Sequence, residues 1–136
     1  MSRYIPGHLN VMADMFSRKR QILKNEWSMH PNVLLRLWKV WDRPLVDLFA
    51  TSRNHKLPIY FSPIPDPRAE AVDSMLQSWS GHLLYAFPPL SLIRQTLNKV
   101  QRDQAEMILI APCWANQEWF PDLLALLVEA PRELPL

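Results

Sequence analysis

The sequence predicts an α/β fold: a Rossmann-like parallel sheet of about four strands with crossover helices, preceded by two helices. Three observations predict it. From Pro44 onward, short runs such as Ile59-Tyr60-Phe61 and Met107-Ile108-Leu109-Ile110-Ala111 alternate with amphipathic stretches, the order that parallel strands joined by crossovers require. Prolines fall where elements should end, at Pro44, Pro58, Pro63, Pro65, Pro67, Pro88, Pro89, Pro112, Pro121 and Pro131; each fixes its own φ and turns the preceding residue away from helix. The chain also has only two glycines against thirteen prolines, which all but excludes folds built around a glycine-rich phosphate loop.

The elements follow in order. Residues 9–23 suit a helix, with Asn10 as N-cap and Ala13, Phe16, Arg20 and Leu23 at helical spacing. Pro31 fits the first turn of a second helix, whose apolar stripe is Val33, Leu34, Leu37, Trp38 and Trp41 and which Pro44 stops. Residues 46–50 and 59–61 read as strands. Residues 69–79 read as a helix with Ala69, Val72, Leu76 and Trp79 on one side. A strand at 83–87 is closed by Pro88-Pro89. A helix at 91–102 turns Leu92, Ile93, Leu97 and Val100 inward, a strand at 107–111 stops at Pro112, and a last helix covers 119–128. In such a fold, ligands bind outside the carboxyl ends of the strands, here 47–51, 61–63, 87–90 and 112–114.

Composition narrows the class. The chain has 136 residues, 49% of them hydrophobic, enough for one compact domain with a core. The longest continuous apolar stretch, 123–128, is far short of the roughly 20 residues of a membrane span, and Ser2 to Gly7 contain no signal-peptide apolar region. Cys113 is the only cysteine, so neither an internal disulfide nor a cysteine-based zinc cluster can form. An intracellular protein, cytoplasmic or nuclear and without a membrane partner, is expected. Charge is uneven: residues 1–43 carry eight Lys/Arg and three Asp/Glu, a balance of +5, and residues 44–136 carry seven and ten, a balance of −3. A basic front end is compatible with nucleic acid, RNA–DNA hybrid or DNA, and equally with a solvated helix face.

The run Ile5-Pro6-Gly7-His8-Leu9-Asn10-Val11-Met12-Ala13-Asp14-Met15-Phe16-Ser17-Arg18 is the most specific motif. It resembles the end of the ribonuclease H domain of retroelement reverse transcriptases, matching at Pro6, Gly7, Asn10, Ala13, Asp14, Ser17 and Arg18. The resemblance implies that Asp14 corresponds to the last of the family's catalytic carboxylates, which together hold two Mg2+ ions about the scissile phosphodiester. The family's other acids would lie upstream, and Tyr4 stands where the family has a loop histidine, so Asp14 is an incomplete metal site and no ribonuclease activity is expected of it alone. Read without the resemblance, Asp14 is a first-turn acid complementing a helix dipole.

Four further pieces occur in order: Val46-Asp47-Leu48-Phe49-Ala50 with Asn54; Asp73 with Trp79; Tyr85 through Ile93, containing Phe87-Pro88-Pro89-Leu90; and Ile108 to Pro112 with Trp119-Phe120. Together they resemble the phage-type DNA N6-adenine methyltransferases, over about 75 residues. A domain of that kind beside ribonuclease H is the arrangement of DIRS-type retrotransposon polyproteins. The resemblance implies a degenerate catalytic loop at Phe87, Pro88, Pro89 and Leu90: Phe87 replaces the asparagine that accepts from the adenine amino group, and Leu90 replaces the aromatic that stacks on the base. Asp47 is the candidate cofactor-binding residue at its strand end, or else a loop cap; with no glycine-rich turn, S-adenosylmethionine binding is not expected.

The remaining candidates are weaker. Arg18, Lys19, Arg20 and Lys24 are the candidate phosphate contacts. Trp38 and Trp41 could stack on bases beside Arg36, Lys39 and Arg43, or could form a helix seam. The four histidines lack metal-ligand spacing, and Cys113 suits a buried thiol. The expected division is a ribonuclease H remnant at 1–24, a linker helix at 25–43, a methyltransferase-like α/β domain at 44–130 and a tail at 131–136. The expected function is that of a retrotransposon polyprotein segment acting in element replication beside its upstream reverse transcriptase and ribonuclease H regions. The alternatives are a non-catalytic nucleic-acid-binding or scaffold module and a residual adenine methyltransferase.

Overall fold

A computed structural model describes residues 8–9, 31–112 and 114–128. The predicted first helix beyond Leu9, the residues Asp14, Arg18, Lys19, Arg20, Lys24 and Cys113, and the tail lie outside the described residues. The fold is α/β: one all-parallel sheet packed between helical layers. In chain order its elements are β1 (His8–Leu9), α1 (Pro31–Trp41), β2 (Val46–Asp47), β3 (Ile59–Ser62), β4 (Ala71–Val72), β5 (Leu83–Ala86), α2 (Ile93–Asp103), β6 (Glu106–Leu109) and α3 (Phe120–Leu126). The sheet runs β1-β6-β5-β2-β3-β4. Counted from β2, this is the Rossmann order 3-2-1-4-5-6, with the sixth place filled by the segment nearest the start of the chain. Leu9, expected at the head of a helix, instead pairs with Met107.

Alternation along the strands sorts the core onto two faces. Val46, Leu84, Ala86, Met107 and Leu109 face one way and pack under α2 and α3, against Ile93, Leu97, Val100, Phe120, Leu123 and Leu126. Tyr85, Ile108 and Ile110 face the other way and pack under α1, against Leu34, Leu37 and Trp41. The helix expected to link two domains is therefore a packed layer of this body. Pro31 opens α1 where no intrahelical N–H is needed; Asp42, at φ 70°, and Pro44 end it.

The helix expected at 69–79 does not form. Glu70 N–H donates to the Tyr60 carbonyl (2.9 Å) and Asp73 N–H to the Ser62 carbonyl (2.7 Å), so this stretch is zipped to β3 as β4. Asp73 then takes φ 59°, and its carboxylate accepts from Met75 N–H (3.0 Å), capping a single 3₁₀ turn at Ser74–Leu76. The short side chain offered the backbone a local alternative to helix. Val72 and Leu76, counted toward an inward stripe, are exposed instead. Trp79 alone of that stripe is fully buried, its Nε1 donating to the Ser74 carbonyl at 2.9 Å. Asp103 accepts from Trp79 N–H (3.1 Å) and pairs with Lys99 (2.8 Å), whose ammonium lies 5.2 Å from the Trp79 ring centre. The segment is thus fastened to the end of α2.

Candidate functional site

The chain leaves β2 toward β3 and β4 on one side, then returns to β5 and β6 on the other. The switch point of the sheet is therefore between β2 and β5, where a crevice for ligands is expected at the carboxyl ends. Both segments singled out from the sequence arrive there. Leu48 N–H donates to the Tyr85 carbonyl (2.9 Å), Ala50 N–H to the Phe61 carbonyl (3.2 Å) and Ile110 N–H to the Ala86 carbonyl (2.8 Å), which sets residues 47–50 alongside 85–90. The fold thus brings together Asp47 and the loop of Phe87, Pro88, Pro89 and Leu90.

Asp47 is 2% exposed and stands in register between Tyr60 on β3 and Tyr85 on β5. Its Oδ2 accepts from Lys56 N–H at 2.8 Å, and the backbone N–H of Phe49 also donates to the carboxylate. Burial pushes its pKa up to about 6; the two backbone donors and the nearby His55 and Lys56 charges pull the other way without cancelling that cost. Burial, and then the Asp47 charge, raise Tyr85 well above the usual phenol range.

The loop that Asp47 holds is tightly tied. Asn54 Oδ1 accepts from Thr51 N–H (2.7 Å) and Thr51 Oγ1 (3.2 Å), while Thr51 O accepts from the N–H groups of Asn54 and His55. His55 lies flat on Tyr60, ring centres 4.4 Å apart, with Nδ1–H donating to the Leu57 carbonyl at 2.8 Å. Tyr60 Oη donates to Asp66 Oδ2 at 2.8 Å. Asp66 is held below the ordinary carboxylate range by the Arg68 N–H and then by Tyr60. The sequence reading missed this cluster of His55, Tyr60, Asp66 and Lys56. Its one legible signal was the Thr51-x-x-Asn54 turn next to an acid at a strand end.

The loop after β5 is arranged for packing. Phe87 is half-buried against the cluster under α1, Pro88 is buried, Pro89 is exposed and Leu90 packs half-buried on the core under α2. Phe87 and Leu90 thus lie against opposite layers. Trp119 and Phe120 are buried in the core under α2, tilted against each other at 6.2 Å. Asp73 caps a turn and Trp79 anchors a segment, as described above. The described glycine, Gly81, stands before β5 at the amino end of the sheet, away from this crevice.

Among the described residues, no group of three His, Cys, Asp or Glu side chains is placed to hold a metal ion, and no helix is long and apolar enough to cross a membrane. No protein family, curated protein or solved structure matches the chain.

Proposed function

We propose that the chain is a segment of a retrotransposon reverse transcriptase–ribonuclease H polyprotein, acting in element replication through a methyltransferase-derived α/β scaffold that no longer transfers methyl groups. The observation that carries this reading is the meeting of residues 47–50 and 87–90 at the switch point in an arrangement committed to packing. Ancestry is supported by the order of the four motif pieces along a 3-2-1-4-5-6 sheet. Loss of chemistry is supported by the side chains themselves. Phe87 has no acceptor for an adenine amino group, Leu90 has no ring to stack, and the Asp47 carboxylate is occupied by backbone donors rather than turned to a ligand. With its Oδ2 taken by the Lys56 N–H, Asp47 fits S-adenosylmethionine poorly, and Mg2+ would be held by Asp14 together with acids of the upstream ribonuclease H region. His8 and Leu9, within the ribonuclease H-like motif, pair with β6 in the same sheet.

Two measurements test the reading. Titration calorimetry with millimolar S-adenosylmethionine should give no binding heat; a saturable heat would restore the methyltransferase. The genomic flanks should encode a reverse transcriptase upstream and a recombinase downstream. An intact free-standing gene would overturn the polyprotein origin.

A further inference from the structure

We infer that the outer face of α1 is a docking surface for the phosphate backbone of a nucleic-acid duplex, read without sequence selection. Leu34, Leu37 and Trp41 turn into the core, and at 100° per residue Arg36 and Lys39 point the opposite way. Both are exposed, as is Arg43 just beyond the helix end. The helix itself, PNVLLRLWKVW, contains no acid. No carboxylate among the described residues makes an ion pair with Arg36, Lys39 or Arg43, whereas Arg94 and Lys99 are both ion-paired. Among the described residues, Asp42, exposed and in the left-handed conformation, is the acid that adjoins this stripe in sequence.

Arg36 and Lys39 on the outer side of the helix, with Arg43 exposed just beyond its end and none of the three ion-paired among the described residues, form the footprint expected for phosphates. Leu35, 56% exposed on the same side, adds an apolar contact for sugar edges. The surface is the solvent side of α1, whereas Phe87 packs against the cluster on its buried side and Leu90 against the opposite layer. It is therefore independent of any adenine pocket and of the chain's ancestry.

The test is fluorescence anisotropy of the full chain with a 20-base-pair DNA duplex, titrated between 50 and 200 mM salt. Three phosphate contacts contribute a slope of about −2.7 in log K against log salt, or about a 40-fold loss over that range. The variant Arg36→Gln/Lys39→Gln/Arg43→Gln should lose that part of the slope at an unchanged circular dichroism spectrum. An equal-charge control at the exposed side chains of Arg53, Arg68 and Arg102, likewise to Gln, should keep it. Equal loss in both variants, no loss in the first, or no duplex binding at 50 mM salt beside binding to polyglutamate would overturn the assignment, the last in favour of an acidic protein partner.

Discussion

Asp47 ends β2 as a buried carboxylate that accepts from two backbone N–H groups of the loop that follows. A single acid ending an apolar strand was legible in the sequence; the Lys56 and Phe49 N–H groups that hold it were not, because nothing in a linear pattern says where a loop returns. Its raised pKa has a thermodynamic consequence with a definite sign. The native state binds the Asp47 proton more tightly than the unfolded chain does, so its contribution to stability is fully present below pH 3.8 and falls as pH rises to about 6. The loss amounts to about 3 kcal/mol at most. Urea denaturation at stepped pH should show that decline in the wild-type chain and not in Asp47→Asn; superimposable profiles would dismiss it. Trp79 was also picked out by position, and its burial with a satisfied Nε1 makes it structural. Trp79→Ala should lower stability by about 3–5 kcal/mol, read from the urea midpoint, with Trp79→Phe losing much less.

At the scale of elements, the strongly patterned pieces were readable: α1, α2, β5 and β6 lie where periodicity placed them, within a few residues at each end. The stretch 69–79 was not, because its helical spacing was real but unused. Hydrogen bonds to β3 and the Asp73 cap outweighed propensity, and neither shows in periodicity. The end of α2 suggests a stabilising change. Gln104 adopts the left-handed conformation, φ 54° and ψ 47°, where a Cβ is unfavourable. Gln104→Gly should gain about 0.5 kcal/mol after losing an exposed side-chain bond to Gln101 and some unfolded-state restriction, visible as a higher melting temperature. A lower one would show that the side-chain bond matters more. Across α2 and α3, Arg94 grips Glu118 and Asp122, both at 2.7 Å, but this exposed network contributes little on its own.

For the molecule as a whole, the strand order was implied only in part. Alternation announced parallel strands, while the short pieces β1 and β4 carry too few residues to leave a pattern. Cover on the sheet is uneven. Between β5 and β6 the chain crosses by a full helix, α2, but between β2 and β3 and again between β3 and β4 it crosses by loops, at 48–58 and 63–70. The proline-rich crossovers leave Ile64, Val72 and Leu76 in solvent at the β4 edge, whereas Leu109, Ile108 and Met107 on β6 are fully enclosed. The sheet should therefore not open as one piece. In native-state deuterium labelling, amides of β4 and then β3 should exchange through small, local openings, and those of β5 and β6 only through global unfolding. A single opening energy across all of them would contradict this. If the order holds, the molecule has a frayed margin and a durable centre, and the durable centre is the part that supports α1 and its basic face.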